Sequence, residues 1–295
     1  MFKAVQSPYL VPFDGSFVLS KAPSTAPKQG LDKDARKARL VELVEELAAL
    51  QHILYAHSGH SILLVFQAMD AAGKDSTIRA VLSGVDPAGC AVTSFKRPSE
   101  TELAHDFLWR TSQHLPQRGR IGVFNRSYYE EVLAVRVHPE FLDAQNLPYR
   151  PKKLADLWRE RYDSICEHEQ HLARNGTVIL KFWLNVSRDE QRDRLLARLN
   201  EPEKNWKFES GDLAERDRWK DYMSAYQDAL NATSRPHAPW YAIPADSKSF
   251  MRMTVADIIV RTLESLELKY PKLEKEELAK FGEMKKQLMG DTKSA

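Results

Sequence analysis

The sequence predicts an α/β fold in which a mostly parallel sheet is flanked by helices on both faces. Three observations predict it. Short, branched apolar runs recur at "SILLVF" (61–66), "AVTSF" (91–95), "RIGVF" (120–124), "TVILKFWLNV" (177–186) and "WYAIPA" (240–245), each reading as a buried strand. Helix-length segments separate most of them, and strand alternating with helix makes parallel neighbours. The first run leads straight into a Gly-Lys turn that opens a helix, which presents unpaired N–H groups to an anion.

Taken in order, residues 1–30 carry four prolines and little periodicity, and read as an extended N-terminal arm lying on something else. A helix is expected from Asp32, with Leu40, Leu43, Leu47, Leu50 and Leu54 on one face and His57 and His60 ending it. "DSTIRAVLSGV" and "TELAHDFLWRTSQHL" read as helices after the first and second strands. The second is announced by Ser99 and Glu102 at capping-box spacing. The stretch 202–230 breaks the pattern, being polar, aromatic and mixed in charge, and reads as a helical flap; the lid is placed at about 190–235. Residues 271–295 read as a charged helix and tail that frays.

Composition bounds the partners. A chain of 295 residues at 43% hydrophobic and 28% charged supports a substantial core. A net charge of +2 does not call for nucleic acid, and the Trp residues scattered among charges do not form a base-stacking platform. Apolar runs are strand-sized, far short of a membrane span, and the N-terminus lacks the apolar core of a signal peptide. Two cysteines, Cys90 and Cys166, fit a reducing compartment, so a cytoplasmic protein is expected. Cys166, His168 and His171 share one helix without a fourth ligand at zinc spacing, and Ser127 has no activating histidine nearby.

"FQAMDAAGKDS" (66–76) departs from the phosphate-loop pattern at two places. Ala68 stands where the first Gly belongs, and Asp75 where the hydroxyl that holds Mg²⁺ belongs. Gly73 still lets backbone approach an anion, Lys74 can reach a terminal phosphate, and Asp70 supplies a carboxylate for a cation. Phosphate is therefore expected against Met69, Ala71, Ala72, Gly73, Asp75 and Ser76, with Lys74 catalytic. A second signal is "IGVFNRSYYEE" (121–131): a strand ending in Asn125, then Arg126, with Glu130 a turn further on. Lys96 and Arg97 follow the second strand, where ligands gather in open parallel sheets. Arg194 and Arg198 share a helix face beside the flap and are placed to close over developing charge.

The blocks "QAMDAAGKDSTIRAVLSGVDPAGCAVTSFKRPSETELAHDFLWR", "GVFNRSYYEEVLAVRVHPE", "NEPEKNWKFESGDLAERDRW" and "ALNATSRPHAPWYAIPAD" resemble the second family of polyphosphate kinases, from about Leu31 to about Tyr270. The resemblance implies a P-loop kinase core with a helical lid, so that 31–270 is a phosphotransferase domain. It implies phosphoryl exchange between inorganic polyphosphate and nucleotides, and a homo-oligomer, dimer or tetramer. "DAAGK" matches the family's Asp-x-x-Gly-Lys core. "FNRSYYE" resembles class III members, which are associated with both nucleoside mono- and diphosphates (AMP, ADP, GMP and GDP).

The attacking oxygen of a phosphate acceptor is already largely ionised near neutral pH, its second pKa being about 6. Catalysis then reduces to positioning and charge neutralisation. Asp70 is expected to hold Mg²⁺, with Mn²⁺ as a substitute, and Asn125 or Glu130 to support a second ion. Arg126 and a lid arginine, Arg198 or Arg194, are expected to neutralise the moving group, with Lys96, Arg97 and Arg136 along anion paths. Two alternatives stay open on these residues: a P-loop kinase that takes ATP as donor, and a non-catalytic polyphosphate- or nucleotide-binding module.

Overall fold

The computed structural model describes residues 2–209 and 211–291. Five parallel strands form one sheet: β1 Ser61–Gln67, β2 Cys90–Ser94, β3 Ile121–Asn125, β4 Thr177–Asn185 and β5 Trp240–Pro244, in the order β2-β3-β1-β4-β5. The central β1 pairs with β3 (Leu64 opposite Val123) and with β4 (Leu64 opposite Leu180). Every residue of β1, β3 and β5 is buried, as strands covered on both faces require. The strand expected at 91–95 is present but is the sheet's edge, and Val92 is 51% exposed. An edge strand has a single neighbour, so its apolar sequence alone does not bury it.

Helix α1 (Lys33–His57) starts where expected, because the Asp32 carboxylate accepts from the Asp34 and Ala35 N–H groups. Helix α2 (Lys74–Val81) follows the phosphate loop. The single helix expected over 101–115 is instead two short ones, α3 (Glu100–Leu103) and α4 (Trp109–Ser112). The capping box forms at Ser99 and Glu102. The break comes from Asp106, whose carboxylate takes the Leu108 N–H and whose carbonyl takes that of Trp109, a local turn that competes with helix.

Beyond β3 lie α5 (Ala134–Val137), α6 (Leu154–Arg174), α7 (Arg188–Asn200), α8 (Gly211–Asp217), α9 (Trp219–Thr233), α10 (Lys248–Glu264) and α11 (Lys275–Asp291). Helices α1, α2 and α10 pack together, and α5, α6 and α9 form a second group. Helix α9, within the region read as lid, buries Ala225, Tyr226, Ala229, Leu230 and Thr233 and so is anchored in the core. The end of the charged tail, residues 292–295, lies outside the described residues.

The N-terminal arm runs along β5. Leu10 bridges Tyr241 in antiparallel sense, the Ala242 N–H donates to Tyr9 O, and the Val11 N–H donates to Trp240 O. Val11 is fully buried. Further on, the Asn185 amide donates to Ala22 and Pro23 carbonyls, and Ser24 donates to Asp246. No helix among the described residues is long and apolar enough to cross a membrane.

One charge sits deep in the core. Lys181 on β4 donates from Nζ to Glu169 Oε2 of α6, to the Tyr129 hydroxyl and to Thr233 O. Tyr128 and Tyr129 both donate to Glu169 Oε1. These contacts tie the turn after β3 to β4, α6 and α9.

Candidate active site

The carboxyl ends of β1 and β3 build the site. Leaving β1, the chain passes through Ala71 (φ 60°) and Gly73 (φ 106°) before α2 begins. A Cβ at Gly73 would lie 3.3 Å from Met251 Cε and 3.4 Å from Ser76 Oγ, so glycine suits both the backbone angle and the space. Ala71 has no such licence. Left-handed non-glycine residues persist where the surroundings hold them, typically at ligand sites. Arg126, immediately after β3, is also left-handed at φ 64°.

Lys74 folds back over the loop, and its Nζ donates to Ala68 O at 2.7 Å. Burial lowers its pKa to about 8. Arg126 adds to the fall, and Asp70, Glu130 and Asp75 oppose it. Asp70 accepts from Arg126 Nη2 at 2.9 Å. Glu130 and Asp70 hold the Arg126 guanidinium firmly protonated, against its burial. The Gln67 amide, oriented to satisfy both neighbours, donates to Glu130 Oε1 at 2.9 Å and accepts from the Ser127 N–H and hydroxyl. Asp70, Lys74, Arg126 and Glu130 thus form one electrostatic cluster.

Asn125 donates to Asp75 Oδ1 at 2.8 Å and lies 3.4 Å from Ser94 Oγ. Its nearest carboxylate is therefore that of Asp75, while Asp70 faces Arg126. Lys96 and Arg97 are exposed in the turn after β2, beside Asn125, whose carbonyl takes the Phe95 N–H.

Arg194, Arg198 and Arg136 are each held by protein groups. Arg194 donates to the Ala71, Ala72, Ala245 and Asp246 carbonyls and to Glu190 Oε1. Its guanidinium straps the loop to the end of β5. Arg198 donates to Lys207 O and to Asp212 Oδ2, and Asp212 in turn feels the negative charge of Asp70. Arg136 donates to the Tyr162 hydroxyl and to Asp228, lining a groove of about 410 Å³ with Trp158. Packing of α5 against α9 directs it there.

A profile described as Polyphosphate kinase 2 matches residues 30–271. The chain belongs to the polyphosphate kinase 2 family. It is 56% identical over 246 residues to an ADP-polyphosphate phosphotransferase of Rhodopseudomonas palustris, covering 83% of this chain and 85% of that one. It is 46% identical over 268 residues to an AMP/ADP-polyphosphate phosphotransferase of Meiothermus ruber, covering 90% and 96%. A crystal structure of polyphosphate kinase 2 from Arthrobacter aurescens superposes with a TM-score of 0.81 at 37% identity, covering 92% and 95%. This polyphosphate kinase 2 chain has the parallel, helix-flanked sheet of a P-loop kinase.

Kinases of this family work with a divalent cation. Among the described residues no three His, Cys, Asp or Glu side chains converge as a closed metal cage. A cation held largely by substrate phosphates and water needs only one or two carboxylates, and Asp70, Asp75 and Glu130 all act electrostatically on Lys74.

Sequence reasoning missed a second cationic group. Lys248 and Arg252, one turn apart on α10, sit near Arg194, and Arg252 also sits near Arg79. Burial and that mutual repulsion lower the pKa of both. Arg252 Nε is buried without a hydrogen-bond partner among the described residues. The available signal was position, since "SKSFMR" follows the fifth strand at the sheet's carboxyl edge.

Proposed function

We propose that this protein transfers the terminal phosphoryl group of inorganic polyphosphate onto nucleoside diphosphates, and onto monophosphates, with Mg²⁺ as the metal. The observation that carries this reading is the meeting of loop and strand end. Lys74, Arg126, Asp70 and Glu130 cluster where two polyanions would have to approach. Repulsion between donor and acceptor is the barrier such a cluster addresses.

In this reading the loop amides and Lys74 hold the donor's last phosphates. A lone pair on the acceptor's terminal phosphate oxygen forms the new P–O bond, the bridging P–O bond of polyphosphate breaks, and the shortened chain leaves with that electron pair. Arg126 faces the charge on the moving group. Asp70, with Asn125 or Glu130 in support, would hold Mg²⁺, which when bound screens the phosphate oxygens. The rest of the donor chain runs toward Arg79, Lys248 and Arg252, where several cations gather beside one carboxylate, Glu190. Helices α7 and α8 act as the lid, carrying Arg198 and Asp212 to the rim.

The test is to incubate the protein with ADP or AMP, Mg²⁺ and long-chain polyphosphate and to quantify new phosphoanhydride products, with ATP replacing polyphosphate as a control donor. ATP from ADP and polyphosphate is expected. Transfer from ATP alone, or binding without turnover, overturns the proposal.

A further inference from the structure

Helix α11 lies beyond residues 30–271, the span matched by the family, so it is an addition to the shared catalytic body. Its residues are exposed along the helix up to 289. Leu278, Phe281, Met284 and Leu288 are 50%, 40%, 51% and 70% exposed. At 100° per residue these four fall within one apolar stripe about 120° wide. A 17-residue helix with a glycine, Gly282, at its middle is marginal alone in water. The stripe calls for a cover.

Two charged residues sit inside the stripe and say what covers it. Glu277 and Lys285 lie on the same face as Phe281, four residues to either side. If two copies of α11 pack antiparallel about Phe281, then Phe281 meets Phe281, Leu278 meets Met284, and Glu277 meets Lys285, twice. A parallel in-register pair would set Glu277 on Glu277 and Lys285 on Lys285, which like-charge repulsion rejects. We infer that α11 is a self-association element, joining two copies of this chain through an antiparallel helix pair centred on Phe281. The arrangement is isologous, so one surface serves both partners. It does not depend on the catalytic reading.

Two measurements on the full-length protein test it. Phe281→Cys places a thiol on the two-fold axis, and Glu283→Cys places one on the opposite face. Mild oxidation is expected to link chains through position 281 and not through 283, above the background of the partly buried Cys90 and Cys166. In sedimentation, Glu277→Lys and Lys285→Glu are each expected to weaken association at least about tenfold, and the double reversal to restore it. Equal crosslinking at both positions, no link at 281, or dissociation constants within about twofold of the parent for the single reversals overturns the inference. In those cases the stripe is covered by the chain's own body or by another molecule.

Discussion

The Nζ of Lys181 lies 2.6 Å from Glu169 Oε2, and neither side chain reaches solvent. A central strand therefore carries a full charge in the core, neutralised across the sheet–helix interface and shared with Tyr129 and Thr233. Removing one partner leaves the other buried and unpaired. Lys181→Met or Glu169→Gln is expected to cost about 3–5 kcal/mol in urea denaturation. The double variant should recover a large part of that loss. If either single variant unfolds at the parent midpoint, the pair is not holding the turn at Tyr128 and Tyr129.

Arg126 Nη2 donates to Asp70 at 2.9 Å, pairing the cation proposed to face the moving phosphoryl group with the carboxylate proposed to hold the metal. Arg126→Ala is expected to lower kcat by about 10³-fold or more, and Asp70→Asn by about 10²–10³-fold, with thermal midpoints close to the parent. Raised Mg²⁺ should rescue part of the Asp70→Asn loss and none of the Arg126→Ala loss. Steady-state kinetics across a metal titration would check both.

Burial lowers the pKa of Lys74 to about 8. The cationic form attracts phosphate and the neutral form does not. Below pH about 8 the charge is present, and above it the charge is lost, so kcat/KM for polyphosphate should fall as pH rises through about 8. Lys74→Arg keeps its charge and should abolish that fall, at a lower plateau. A parent profile flat to about pH 9.5 would remove Lys74 from donor binding.

The cations on α10 predict a chain-length effect. Lys248→Ala and Arg252→Ala should raise KM for long-chain polyphosphate about tenfold while changing KM for tripolyphosphate and ADP little, and should flatten its salt dependence. Equal effects on long and short donors would place the chain elsewhere.

Much of this architecture was legible in local sequence because local rules decided it. Asp32 caps α1 and Ser99 pairs with Glu102 through contacts within three residues. The loop's geometry was legible in the same way, since a buried strand leads within a few residues to left-handed Gly73 and to Lys74 opening α2. What stayed hidden depends on distant neighbours. Val92 reads as core until the strand order puts β2 at an edge. Lys181 stands within the apolar run "TVILKFWLNV", and its buried partner Glu169 comes from a separate helix that the run itself does not announce. Arg194, expected beside the moving phosphate, also straps the loop to the end of β5 through the Ala72 and Ala245 carbonyls, contacts that lie far off in the sequence.

The arm on β5 bears on how the chain is made. The Tyr241 hydroxyl donates to the Val5 carbonyl, 236 residues earlier in the sequence. During synthesis at about 5–20 residues per second, the first segment waits roughly 10–50 s before its docking strand leaves the ribosome. Until then its apolar side chains have no seat, and a chaperone has that interval in which to hold them.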